Sequence, residues 1–314
     1  MEVVLAKPRG FCAGVVRAID VVEQALEVFG PPVYVLHEIV HNQHVVNSLR
    51  GKGAIFTEEL NDVPAGAVTI FSAHGVSDAR VNEAEKRGLR IIDATCPLVA
   101  KVHMQAQKYH RRGYELIIVG HRGHPEVVGT SGRVAGPVHV ISEPEEVETL
   151  RVETPEKVAY VTQTTLSVDD TRAVIGALKK RFPSIVGPET KDICYATQNR
   201  QNAVRELAHE TDVIIVVGAR NSSNSNRLRE VGEQEAIRAY LVQDANELEA
   251  QWFSPDDRIG VTAGASTPEA LVTAVIEQLA AWGRTQVREI PGPDERVTFR
   301  VPNELRAHLA TPKS

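Results

Sequence analysis

Cys12, Cys96 and Cys194 are the only thiols in the chain, and each stands where a helix could begin. An odd set cannot be used up in disulfides, so it points to buried thiols, a nucleophile or metal ligation. A helix N-terminus stabilises negative charge and lowers a thiol's pKa, which favours the thiolate that a metal needs. No pair has the close C-x-x-C spacing of a zinc ribbon. Ligands 84 (96 − 12) and 98 (194 − 96) residues apart have to be assembled by the whole fold. Thiolates select zinc, copper(I) or iron–sulfur clusters, and a cluster normally takes four cysteines. Three cysteines on a [4Fe-4S] cluster leave one iron open, as befits a cluster that does chemistry on a substrate. Three buried structural thiols are the plain alternative, because free cysteine is among the most buried residue types.

A second set of residues suits an anion. His41, His74 and His124, with Ser222, Ser223, Asn224 and Ser266, supply donors in loops between strands and helices. Helix N-termini there present backbone N–H groups to phosphate oxygens, and together these describe a site for a diphosphate. There is no Walker loop, and Gly120-His-Arg-Gly123 does not fit the dinucleotide fingerprint. Ser222 to Asn224 could instead be simple N-caps. Glu126, just after His124-Pro125, could complement a helix dipole or, shielded from water, deliver protons. His103, His110, His139, His209 and His308 lie in helical or strand settings and are assigned no chemistry.

These residues need a frame. Apolar β-branched runs alternate with helix-like segments, the signature of α/β units with parallel strands. Strands are expected at Val33–Leu36, Val68–Phe71, Leu89–Ile92, Leu116–Val119, Val158–Val161, Val213–Val217 and Ile259–Thr262. After Cys12, the residues Val15, Ile19, Val22 and Leu26 form a helical stripe ending at Gly30-Pro31-Pro32. After Cys96, Pro97 takes the favoured first helical position and Val99, Val102, Ala106 and Tyr109 continue the stripe. After Cys194 the stripe is weaker. A polar loop lies 28 or 29 residues beyond each cysteine, and a second at 62, 68 and 72. That order predicts three related α/β domains, 1–96, 97–193 and 194–281, followed by a tail, 282–314, with a linker at Pro291-Gly-Pro293 and a short strand-like piece at Val297–Val301. Ligands gather at the carboxyl ends of strands in such sheets, where the polar loops lie.

Bulk properties remove other classes. With 314 residues, two or three compact units are expected. The charge balance of 35 Lys+Arg against 41 Asp+Glu, net −6, disfavours adhesion to nucleic-acid backbones. No window approaches the roughly 18 uninterrupted apolar residues of a membrane span. Met1-Glu2-Val3-Val4-Leu5-Ala6-Lys7 lacks the basic start and long apolar middle of a secretory signal, so the chain is expected to stay in the cytosol.

Gly10-Phe11-Cys12-Ala13-Gly14-Val15, Val40-His41-Asn42, Ala73-His74-Gly75, Asp93-Ala-Thr-Cys-Pro97, Gly123-His-Pro-Glu126, Thr162-Gln-Thr-Thr165, Cys194-Tyr-Ala-Thr-Gln-Asn-Arg200 and Asn221-Ser-Ser-Asn-Ser-Asn-Arg-Leu228 resemble the hydroxymethylbutenyl diphosphate reductases, the last enzymes of the non-mevalonate isoprenoid pathway. The resemblance runs from residue 1 to about residue 303, with no departure at those positions. It implies a trefoil of three α/β domains around a [4Fe-4S] cluster on Cys12, Cys96 and Cys194. The implied reaction is reductive dehydroxylation of (E)-4-hydroxy-3-methylbut-2-enyl diphosphate, with electrons from an external ferredoxin or flavodoxin. The same resemblance gives the diphosphate to His41, His74, His124, Ser222, Asn224 and Ser266, with Ser223 nearby. It makes Glu126 the proton donor, gives Thr164 the substrate hydroxyl and has Thr165 support that loop. Two competing readings are a non-redox cluster lyase or dehydratase and a non-enzymatic iron–sulfur sensor. The diphosphate donor set argues against the first, and a role for Glu126 argues against the second.

Overall fold

The computed structural model describes residues 2–283 and 286–309. In chain order its elements begin with β1 (Glu2–Leu5), α1 (Ala13–Phe29), β2 (Val33–Leu36), α2 (Gln43–Gly51), β3 (Ala54–Thr57), β4 (Val68–Phe71), α3 (Asp78–Lys86) and β5 (Arg90–Asp93). Next come α4 (Pro97–Arg111), β6 (Glu115–Val119), α5 (Pro125–Ser131), β7 (Val138–Ile141), α6 (Pro144–Thr149), β8 (Val158–Thr162) and α7 (Val168–Arg181). The last are α8 (Tyr195–Glu210), β9 (Val213–Val217), α9 (Ser223–Gln234), β10 (Arg238–Val242), β11 (Ile259–Ala263), α10 (Glu269–Ala281), β12 (Gln286–Glu289) and α11 (Asn303–Leu309).

Contacts gather these elements into two compact units. The first takes the chain up to Ala13, His41–Val45 and Cys194–Val297; the second takes Gly14–Val40, Val46–Ile193 and the chain from Thr298 onward. The first unit holds one parallel sheet in the order β10-β9-β11-β1-β12. Strand β9 shows what makes it a central strand. Val213, Ile215 and Val217 pack toward Val272, Val275 and Leu279 of α10. Ile214 and Val216 pack on Ala203, Val204 and Leu207 of α8 and on Leu228 and Val231 of α9. A strand covered on both faces reads as an unbroken apolar run, and each fully buried Val or Ile contributes about 1.5–3 kcal/mol.

The second unit holds two parallel sheets, β3-β2-β4-β5 and β7-β6-β8. The β6 and β8 strands pack one face on Val102, Ala106 and Tyr109 of α4 and the other on Val174, Ile175 and Leu178 of α7. Helix α5 comes close to the loop between β4 and α3 because it carries glycines where they meet. A Cβ on Gly129 would stand 3.0 Å from the Gly75 carbonyl oxygen, and one on Gly132 would stand 2.2 Å from Ser77 Cβ. The Asp78 N–H donates to the Gly132 carbonyl (3.0 Å) and Arg133 Nη1 donates to Asp78 Oδ1 (2.7 Å), closing the same seam.

Helices start directly after all three cysteines, and the expected strands appear with ends shifted by at most one residue. Strands β1, β3, β7, β10 and β12 have no expected counterpart. Of these, β12 is exposed throughout and carries no apolar pattern, and β1 has only four residues. The segment 297–301 is not a strand; its backbone joins none of the three ladders, and the Arg300 carbonyl instead accepts from Arg17 Nε (2.7 Å). The sheets also cut across the expected pieces, since β1 from 1–96 and β12 from 282–314 both lie in the sheet of β9 to β11.

Gly132→Ala should lower stability by about 1–3 kcal/mol, because the added methyl meets the start of α3 and backbone must shift. Thermal unfolding of the apoprotein measures this, and an unchanged midpoint would contradict the close approach.

Candidate functional site

The predicted site residues lie in loops at the carboxyl ends of parallel strands or at the helix starts those loops lead into. In the second unit these loops follow β4 (His74), β5 (Cys96), β6 (His124, Glu126) and β8 (Thr164, Thr165). In the first they follow β1 (Cys12), β9 (Ser222, Ser223, Asn224) and β11 (Ser266), joined by His41.

Within the second unit, Glu126 is 2% exposed and sits in the first turn of α5, which Pro125 opens. Thr164 holds it twice: its backbone N–H donates to Oε1 at 2.7 Å and its hydroxyl to Oε2 at 2.9 Å. Burial is the largest influence on this carboxyl and pushes it up to about 7 from its ordinary 4.5. The two Thr164 hydrogen bonds pull the other way, and the Asp192 charge pushes it further up. A glutamic acid tuned to neutrality can hold a proton and release it at working pH.

His124 caps the same helix. Its Nδ1 accepts from the Glu126 N–H at 3.2 Å, which puts the proton of the neutral ring on Nε2, where it is a donor. The His74 ring lies edge-on to it, centroids 6.0 Å apart. Gly75 has φ +77° and carries no Cβ where one would stand 2.5 Å from His103, so the His74 loop rests on a buried histidine. Burial, with Arg133 nearby, holds His103 down to about 4, and it is therefore neutral packing rather than a charge. Gln163 ties two loops together: its Oε1 accepts from the His121 N–H (3.0 Å) and its Nε2 donates to Thr165 Oγ1 (2.8 Å).

Within the first unit, Ser222 caps α9 by accepting from the Ser225 N–H at 3.3 Å, as an N-cap should. More than capping is present. Asn224 is 4% exposed, its Oδ1 accepts from the Ala265 N–H at 2.8 Å, and its buried Nδ2 has no partner among the described residues. A buried amide that lacks an acceptor costs about 1–3 kcal/mol, which a ligand oxygen would recover. Ser266 Oγ donates to the His41 carbonyl at 2.9 Å, and Asn221 Nδ2 lies 3.5 Å from His41 Nδ1. His41, Ser266, Asn224 and the start of α9 are thus bound to one another, while Ser223 is the first residue of that helix.

None of the three cysteines is in a disulfide, and all three are half-buried. Cys96 is the N-cap of α4, Cys194 the N-cap of α8, and Cys12 directly precedes α1. Cys194 Sγ accepts from the Thr197 N–H at 3.4 Å, capping α8. Among the described residues no three His, Cys, Asp or Glu side chains are grouped for a single metal ion. A cubane cluster puts each cysteine on a different iron, so its fit rests on the donor set, and three soft thiols at helix starts suit it.

Several residues that brace these loops escaped the sequence. Gln163, Asn221, Tyr195 and Arg200 all fall inside the motifs, yet their partners are 2–190 residues away in sequence.

The profile described as "LytB protein" matches residues 3–280. A protein of Pseudomonas syringae pv. syringae named 4-hydroxy-3-methylbut-2-enyl diphosphate reductase is 57% identical over 310 residues, 98% of each chain. One of the same name from Zymomonas mobilis subsp. mobilis is 55% identical over 98% of this chain and 91% of its own. The solved structure of the E-1-hydroxy-2-methyl-but-2-enyl-4-diphosphate reductase of Plasmodium falciparum superposes with a TM-score of 0.95 at 38% identity, covering 98% of both chains.

The raised carboxyl carries a pH signature independent of any cofactor. A group at 4.5 when unfolded and about 7 when folded makes the fold less stable as pH climbs between those values, with no further change above. Glu126→Gln removes that loss. Its apoprotein midpoint relative to the parent should therefore rise from pH 5 to pH 8 in thermal scans; a constant difference would contradict the shift.

Proposed function

This chain belongs to the LytB protein family, and we propose that it catalyses the reaction its relatives are named for, the reduction of (E)-4-hydroxy-3-methylbut-2-enyl diphosphate. The allylic C–O bond breaks, two electrons and two protons are taken up, and either isopentenyl or dimethylallyl diphosphate leaves with one water. The observation that carries the proposal is Glu126, buried and raised to about 7 beside the Thr164 hydroxyl.

Cys12, Cys96 and Cys194 are the residues that would hold a [4Fe-4S] cluster. When bound, it would supply the electrons and Lewis acidity at its open iron. The chain's own residues supply the rest. Hydroxide is a poor leaving group, so the departing oxygen needs a proton, and Glu126 holds one at neutral pH. With Glu126 protonated, the Thr164 hydroxyl accepts from it and turns its own hydrogen to the substrate hydroxyl, orienting that group. Thr165, tied to Gln163, fixes the loop. The diphosphate takes donors from His41, His74, His124, Ser222, Ser223, Asn224 and Ser266, with the N-terminus of α9 adding backbone N–H groups. Anchoring the charged end turns binding energy into orientation of the reacting end. The chain has no flavin or nicotinamide fingerprint, and electrons come from a separate carrier of ferredoxin or flavodoxin type. Three thiols outside any disulfide suit the reducing cytosol, where we place the protein.

Two substitutions test this under anaerobic conditions with a chemically reduced donor. Glu126→Gln should keep the cluster spectrum and the KM for the hydroxylated diphosphate but lose about 10²–10⁴-fold in kcat; parental kcat would overturn the assignment. Cys96→Ser should yield protein depleted in cluster iron with little product formed, and full iron occupancy would remove Cys96 from the ligand set.

A further inference from the structure

Two buried arginines do the same job in different places. Arg200, in α8 six residues after Cys194, is 0% exposed. Its Nε and Nη2 donate to the Gly10 carbonyl (3.1 and 2.7 Å), and Nη2 also reaches Phe11 O (3.4 Å). Its Nη1 donates to Ala196 O at 2.9 Å. The carbonyls of the two residues before Cys12 and of the second residue after Cys194 therefore converge on one guanidinium. The open side of that guanidinium takes Glu295 as a bidentate partner, Nη1 to Oε1 at 3.1 Å and Nη2 to Oε2 at 3.2 Å. Asn199 Nδ2 also donates to Glu295 (3.0 Å), and the Ala13 N–H donates to the Tyr195 hydroxyl (3.4 Å), tying the same two strips of chain.

In the second unit Arg17, on α1, repeats the arrangement ahead of Cys96. Its Nη1 donates to Ala94 O (3.1 Å) and Thr95 O (3.0 Å), and its Nη2 to Asp93 O (3.4 Å). Its Nε donates to Arg300 O at 2.7 Å. In both places a buried guanidinium collects the carbonyls just ahead of a cysteine, and a residue from the tail beyond α10 completes its shell.

Burying a charge in this way costs desolvation that well-packed apolar side chains would not, so the arrangement is weak as a stability device. Its effect is to fix backbone next to the thiols. We propose that Arg200 and Arg17 are positioning residues for the cluster-bearing loops of Cys12 and Cys96, and that the tail serves this task by supplying Glu295 to the first. This rests on the reading of the three cysteines as cluster ligands.

The test is iron loss from the anaerobically reconstituted protein challenged with a chelator, followed by absorbance and by iron and sulfide assay. Glu295→Gln leaves Arg200 without its carboxylate, and Arg17→Lys cannot span three carbonyls. Each should lose iron about 10–100-fold faster than the parent, as for other residues that orient ligands. Glu295→Asp should recover most of the difference. Leu178→Ala, a truncation in the α7 core cluster that includes none of the cysteines, calibrates lost stability alone and should lose iron at the parental rate. Glu295→Gln and Arg17→Lys losing iron no faster than Leu178→Ala would overturn the proposal. Failure of the cluster reading would look different: the parent itself would take up no iron and sulfide.

Discussion

A parallel strand whose two faces are covered by helices can offer chemistry only at its ends. In β9, β11 and β8 every residue is buried, and apart from Tyr160, Thr162 and Thr262 their side chains are apolar, so most polar groups come in the loops that follow. The consequence is a division of labour along each strand. Apolar residues set the strand's place in the sheet, and the next few residues inherit a fixed position without contributing to the core. His74, Cys96, Thr164, Ser222 and Ser266 all occupy that inherited position. Helices that start there add backbone donors and a favourable field for anions and thiolates.

Glu126 shows how closely matched the competing effects are. Two hydrogen bonds from Thr164 would by themselves favour the carboxylate and draw its pKa below the ordinary value. Complete burial disfavours the charge more strongly and wins, leaving the group near neutrality. Exposing the carboxyl would leave it ionised and useless as an acid, whereas burying it without Thr164 would hold its proton too tightly. The position of α5 therefore matters as much as the residue. That position depends on Gly129 and Gly132, whose missing side chains let the helix sit against the loop that bears His74.

Much of this was legible in the sequence. The helix starts after Cys12 and Cys96 were readable because an apolar stripe and Pro97 encode them locally. Strands such as Val213–Val217 were readable because double burial demands an apolar run. Strand β12 was not, because an exposed edge strand needs only a neighbour to pair with, and nothing in Gln286–Glu289 names that neighbour. Val297–Val301 failed for the opposite reason: its alternation suits a strand, yet no ladder is offered to it. The donors proposed for the diphosphate were visible as residue types. The unpartnered Asn224 amide and the state of Glu126 were not, since both depend on neighbours brought in by the fold.

Arg200 marks the limit most clearly. On a helix that also carries Gln198, Asn199, Gln201 and Asn202, a basic residue reads as part of a solvated face, and local pattern gives no reason to bury it. Its burial makes sense only from the other side, from carbonyls at residues 10 and 11 in the loop between β1 and α1, which no sheet ladder satisfies. Buried carbonyls must find donors, and a guanidinium offers five in a rigid plane where an amide or hydroxyl would offer one or two. A lysine could match the charge but not the geometry. The loops that hold the thiols thus require an arginine for their backbone before any question of catalysis arises. The tail's carboxylate follows from the arginine, because its buried charge needs a partner.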